Sequence, residues 1–241
     1  MEYLVPALLT IITAATPLVF AALGELVVEK SGVLNLGVEG MMLTGAVAGF
    51  AAAHVTGSAV LACFAAVIAG MLLAALFAAL VLNLQASQVA TGLALTIFGV
   101  GLSALLGQEL VGIAYEGLPT LNIPVLSGIP VLGPLLFGHD ALVYFSFIMV
   151  ALVTWFLYRT RAGLILRAVG DPHDAAHAIG YPVLRIRFFA ILFGGAMAGL
   201  AGAYLSLAYS PMWVENMSAG RGWIALALVV FATWRPMRRT G

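Results

Sequence analysis

GELVVEKSGVLNLGVEGMMLTGAVAG, residues Gly24 to Gly49, decides how the rest of the chain is read. It carries Glu25, Glu29, Lys30, Asn35 and Glu39, with glycines throughout. A helix facing lipid does not tolerate that mixture, because each ionisable group costs about 2.5–3.5 kcal/mol on insertion scales. A polar, glycine-interrupted segment between apolar helices is the usual sign of a substrate path built on a broken helix. The surroundings are apolar: of 241 residues 63% are hydrophobic and 8% charged, with mean hydropathy +1.12. Soluble domains run near a quarter charged, so this chain is read as a membrane protein. Its net charge of zero gives nucleic acid no purchase. Cys63, the single cysteine, excludes a disulfide within the chain.

Outward from that stretch the chain divides into spans of about 20 apolar residues. Leu4 to Leu23 is the first, with Pro17 placed to kink it. It follows an acidic start, Glu2, which suits a retained helix better than a cleaved leader. Met41 to Ala53 completes a second run, and Ala59 to Leu82, Val89 to Leu106, Ala141 to Tyr158 and Phe188 to Tyr209 follow. Between Gln108 and Asp140, Pro119, Pro124, Pro130 and Pro134 exclude a continuous helix, so this stretch reads as an external loop with a re-entrant part. Arg159, Arg161, Arg167, Arg185 and Arg187 are five of the ten basic residues, and the positive-inside rule makes their loop cytoplasmic. Gly195 and Gly199 stand in GxxxG spacing with Gly202 a turn on, which serves tight packing within the chain or a subunit contact equally well.

A second interruption, Pro211 to Gly222, mirrors the first. It holds Glu215, Asn216 and Arg221 and precedes a short apolar run, Trp223 to Trp234. The two units run in opposite directions by span count, as an inverted repeat requires. The fold expected is all-α: a polytopic transmembrane helix bundle with broken or re-entrant helices. Glu25, Asn35 and Glu39 are the groups expected to shape a path, with Glu215 and Asn216 in the counterpart break. Glu39 could equally cap the backbone of a broken helix.

Two motifs suggest enzymes and are set aside. GELVVEKS (Gly24 to Ser31) approaches a phosphate-binding loop, but Glu29 stands where the second glycine belongs and no strand precedes it. HDAAH (His173 to His177) has the spacing of a zinc pair, but Asp174 replaces the usual glutamate and no third ligand is at hand. The same segment reads better as a short capped helix. Asp171 suits the N-cap, Pro172 the first position, Asp174 the position three beyond the cap, and Gly180 a left-handed C-terminal residue. Such a helix either lies on the membrane or docks a soluble partner.

EKSGVLNLGVEGMMLTGA (Glu29 to Ala46), TRAGLILRAVGDPHDAAHAIGYPVLRIR (Thr160 to Arg187) and VENMSAGRGWIALALVVFATWRP (Val214 to Pro236) together resemble the inner-membrane permeases of bacterial ABC importers, of the simple-sugar and nucleoside type. These are relatives of the ribose and branched-chain amino-acid systems. The resemblance covers most of the chain and implies one permease domain over 1–241, with a cytoplasmic coupling loop at 160–187. It implies that Asp171, Pro172, Asp174, Ala175, Ala176 and Gly180 form the coupling helix, Asp174 replacing the glutamate of the family's E-A-A-x-x-x-G motif. The partners implied are a cytoplasmic ATP-binding subunit, a second permease subunit (the same chain or another), an extracytoplasmic substrate-binding protein and the lipid bilayer, with no nucleic acid. No cofactor, catalytic residue or metal ligand is implied, and ATP hydrolysis falls to the partner. The expected location is the bacterial inner membrane, multi-pass. Family members continue for further apolar segments beyond the position of Pro236, so the chain is expected to be short at that end. Secondary transport and intramembrane metalloproteolysis are the alternatives.

Overall fold

The first helix does not stop where its apolar run does. In the computed structural model, which describes residues 4–121, 138–170 and 180–233, α1 runs from Leu4 to Lys30. It carries Pro17 in its interior and passes through Glu25, Glu29 and Lys30. The expected end at Leu23 is therefore corrected by seven residues. The reason is local: Glu25 finds a backbone donor inside the protein, so the helix can continue past its apolar limit. The break itself is confined to Ser31–Gly37.

The remaining helices are α2 (Val38–Thr56), α3 (Ala59–Ala78), α4 (Gln88–Gly107), α5 (Ala141–Arg159), α6 (Arg161–Gly170), α7 (Val183–Tyr204) and α8 (Arg221–Thr233). Wider π turns extend α3 through Asn83 and α7 through Tyr209. Six of these helices are long and apolar enough to cross a membrane, α8 being shorter. The chain is a multi-pass all-α membrane protein. Helix α6, which the sequence reading left inside a loop, has one apolar face formed by Gly163, Leu166 and Val169. In the proline-rich stretch the described residues hold one 3₁₀ turn, Gln108–Leu110, and backbone pairs to the end of α7, such as Tyr115 N–H to Pro211 O at 3.0 Å. Pro124, Pro130 and Pro134 lie outside the described residues.

Helices α2 and α7 form the centre: 72% and 67% of their spans are buried, against 28% for α1, α4 and α5. Glycine makes that density possible. A Cβ at Gly199 would sit 2.2 Å from the Ala66 carbonyl oxygen, one at Gly195 2.3 Å from the Ala74 Cβ, and one at Gly202 1.9 Å from the Met42 oxygen. The GxxxG face is thus spent on α2 and α3 of the same chain. Without a strong hydrophobic drive between helices in lipid, such close packing is what holds a bundle together.

Helices α1 and α7 are antiparallel along their length. Thr13 and Tyr204 line one hollow, Gly24 lies against Gly194 and Met197, and Arg187 Nε–H donates to the Ser31 carbonyl at 3.1 Å. This places Lys30, the end of α5, α6 and the start of α7 at one end of the bundle, where Arg159, Arg161, Arg167, Arg185 and Arg187 gather. Asp171, Pro172, Asp174, Ala175 and Ala176 of the expected coupling helix, with His173 and His177, lie outside the described residues.

Candidate functional site

The break between α1 and α2 is built from its own polar residues. Glu25, 1% exposed, accepts from the Asn35 backbone N–H through Oε1 at 3.0 Å. Asn35 Oδ1 accepts from the Gly37 N–H at 2.9 Å, closing a local turn ahead of α2. Its Nδ2 donates to Met41 Sδ at 3.5 Å. Helix α4 supplies the rest. Gln88 Oε1 accepts from the Leu34 N–H at 2.8 Å, and the Thr96 hydroxyl donates to the Leu36 carbonyl at 2.9 Å. Backbone in an apolar surrounding must be satisfied by protein, so these contacts let a non-helical segment lie inside the bundle. Close contact between α2 and α4 fixes it there: a Cβ at Gly99 would fall 2.6 Å from the Gly40 Cα.

Glu39 joins this break to the second one. It lies in the first turn of α2 and is 4% exposed. Its Oε1 accepts from the Ser218 hydroxyl and from the Gly220 N–H at 2.8 Å. Its Oε2 accepts from the Gly222 N–H at 2.6 Å. Those amides belong to the N-terminus of α8, whose first donors have no partner within the helix. A carboxylate is well suited to them, since the helix dipole places partial positive charge there. One side chain of α2 therefore caps a different helix, 183 residues away. Gly222 has to be glycine, because a Cβ would stand 2.6 Å from Glu39 Oε2 and 2.8 Å from the Glu39 backbone nitrogen.

The sequence candidates thus fall into two groups. Glu25, Asn35 and Glu39 are buried and belong to one polar centre. Glu215 and Asn216 are exposed; Asn216 has φ +56°, and its carbonyl accepts from the Ala219 N–H at 3.0 Å. In the second break the buried partner of Glu39 is Ser218, which the sequence reading passed over together with Gln88 and Thr96. A serine three residues ahead of an arginine-led apolar helix is a capping signal and could have marked it. Gly180 has φ +85° with open space around its Cβ position, the left-handed geometry expected of it.

Most of the charge in this centre is thereby used on backbone. Glu25 Oε2 is the exception, being buried with no hydrogen-bond partner among the described residues. At the end opposite the arginines a polar hollow of about 250 Å³ is lined by Thr13, Thr120, His139, Asp140, Tyr204 and Tyr209 among others. Asp140 Oδ1 caps α5 there, accepting from the Leu142 and Val143 N–H groups at 2.9 and 3.1 Å. Among the described residues no cluster of histidine, cysteine or carboxylate side chains could hold a metal ion.

Comparison with known proteins agrees with this architecture. Residues 7–240 match the family described as branched-chain amino acid transport system / permease component. The chain is 44% identical over 231 residues to a protein named putative glucose ABC transporter permease protein TsgC13 of Haloferax volcanii, covering 94% of this chain and 70% of that one. It is 33% identical to the nucleoside ABC transporter permease protein NupC of Lactococcus lactis, with 92% and 74% covered. It is 31% identical to the guanosine ABC transporter permease protein NupQ of Bacillus subtilis, with 100% and 78% covered.

Proposed function

The chain belongs to the family of permease components of branched-chain amino acid transport systems, and from that premise we propose that it conducts a sugar or a nucleoside across a bacterial inner membrane. A permease subunit of an ABC transporter carries no ATP chemistry of its own; the system also includes an ATP-binding subunit and a substrate-binding protein. The substrate class rests on the relatives, named for glucose, nucleosides and guanosine. What favours it in this chain is the buried polar centre where the two breaks meet through Glu39. In transporters built from inverted repeats, substrate sites form where the broken helices of the two repeats meet.

The two breaks form an inverted repeat in this reading. Helices α1 and α7 are antiparallel, each is followed by a break, and each break opens into a helix whose N-terminus points inward. Glu39 and Gly222 are the second residues of α2 and α8 and meet each other. The basic end faces the cytoplasm. There the ATP-binding subunit docks on the segment Asp171 to Gly180, through Asp171, Pro172, Asp174, Ala175, Ala176 and Gly180. Glu25 Oε2 is the acceptor left for a passing hydroxyl. A second permease subunit completes the pathway, and the substrate-binding protein delivers to the end bearing Glu215 and Asn216. Membership of the family leaves the secondary-transporter and metalloprotease alternatives without support.

The direct test is co-purification of this chain with its ATP-binding subunit, followed by measurement of ATP hydrolysis. Hydrolysis stimulated by loaded binding protein and lost in Gly180→Leu supports the reading. Stimulated hydrolysis that persists in Gly180→Leu contradicts the docking site, and failure of the two chains to associate contradicts the division of labour.

A further inference from the structure

At the basic end lies a cavity of about 620 Å³. Its walls come from four helices, with Val27 on α1, Met149 and Phe156 on α5, Leu166 on α6, and Ile186 and Phe193 on α7. Among the described residues no charged side chain lines it. The lining runs from Met149 to Phe156 on α5 and from Pro182 to Phe193 along α7, about 10–11 Å and 16–17 Å at 1.5 Å per residue. The hydrocarbon core of a bilayer is about 30 Å thick, so along α7 the cavity reaches from one surface to about the midplane. That is the depth of a single leaflet.

Its mouth is basic. Arg159 lies three residues beyond Phe156 on α5, Arg161 precedes the lining residue Ala162 on α6, and Arg185 stands between the lining residues Pro182 and Ile186 on α7. All three arginines are exposed. The aromatic ring of Tyr181 lines the same mouth, at the level where tyrosine favours the boundary between lipid and water. An apolar slot with exposed arginines next to its lining residues suits an anionic amphiphile. We infer that this cavity binds an anionic phospholipid of the arginine-side leaflet, its tail in the slot and its phosphate among Arg159, Arg161 and Arg185. Basic pockets between helices on this side of a membrane select anionic headgroups for the same electrostatic reason. The bound lipid would join α5 and α6 to α7, the elements on either side of the expected coupling segment.

The test uses the purified chain in nanodiscs of equal parts phosphatidylglycerol and phosphatidylcholine, with retained lipid identified by native mass spectrometry. Phosphatidylglycerol is expected to be kept in preference. The combined Arg159→Gln, Arg161→Gln and Arg185→Gln variant should lose that preference by roughly 100-fold. Ala162→Trp, an exposed position on the rim, should fill the slot and lower retention of both lipids without disturbing the core. Equal retention of the two lipids by the parent chain overturns the inference, as does unchanged retention in both variants. Loss of the bound lipid when a second copy or the ATP-binding subunit associates also overturns it, since the cavity would then be a protein interface.

Discussion

Replacing Glu39 by alanine removes three acceptor contacts at once: those to the Ser218 hydroxyl and to the Gly220 and Gly222 amides. Glu39 and Ser218 are buried, so water does not easily replace the carboxylate. Each buried donor left without an acceptor costs about 1–3 kcal/mol. Three of them set an expected loss of about 3–9 kcal/mol, toward the lower end because Gly220 is half-buried and water can reach its amide. Against a typical folding stability of 5–15 kcal/mol this is severe. Glu39→Gln separates the contributions. Its carboxamide oxygen can keep the Ser218 and Gly220 donors, but its NH₂ group then faces the Gly222 N–H, donor against donor. The expected loss is one contact, about 1–3 kcal/mol. The assay is thermal unfolding of the purified chain in a fixed detergent, with uptake measured on the same preparations. The order of stability should be parent, Glu39→Gln, Glu39→Ala. Wild-type unfolding in Glu39→Ala, with uptake nonetheless abolished, refutes the capping argument and assigns Glu39 to substrate instead.

Other substitutions probe neighbouring parts. Gly222→Ala should destabilise by about 1–3 kcal/mol, because its Cβ would stand 2.6 Å from Glu39 Oε2; melting in the same detergent checks it. Gly199→Leu should do worse, yielding little folded protein by size-exclusion chromatography, since even a Cβ meets the Ala66 carbonyl at 2.2 Å. Asp140→Ala should cost about 1 kcal/mol by uncapping α5 and leave uptake close to wild type. Glu25→Gln keeps an acceptor for the Asn35 amide, so it should fold normally, yet uptake should fall about tenfold if Glu25 Oε2 meets the substrate.

The spans were legible because membrane helices are long and apolar, and composition alone marks them. Their ends were less so. The end of α1 was misplaced because a glutamate in an apolar run reads as an exit, while Glu25 is held by the Asn35 amide, a contact that exists only after the chain turns back. Glu39 was legible as special, and its capping role was one of two readings, but the helix it caps lies at the far end of the sequence. Ser218 was hidden for the same reason. Glu215 and Asn216 drew attention through residue type, while their exposure depends on the path of the loop. The short amphipathic α6 escaped notice because its arginines read as a loop charge cluster. The glycines of α7 announced close packing, but which helix they meet is a property of topology.

We propose that this chain is a passive path driven by a separate ATPase. Proteoliposomes containing the chain, its ATP-binding subunit and its substrate-binding protein should accumulate a radiolabelled sugar or nucleoside only when ATP is supplied on the side of the ATP-binding subunit. A hydrolysis-deficient ATP-binding subunit should abolish accumulation. Uptake that proceeds without that subunit, driven by a proton or sodium gradient alone, would contradict the account.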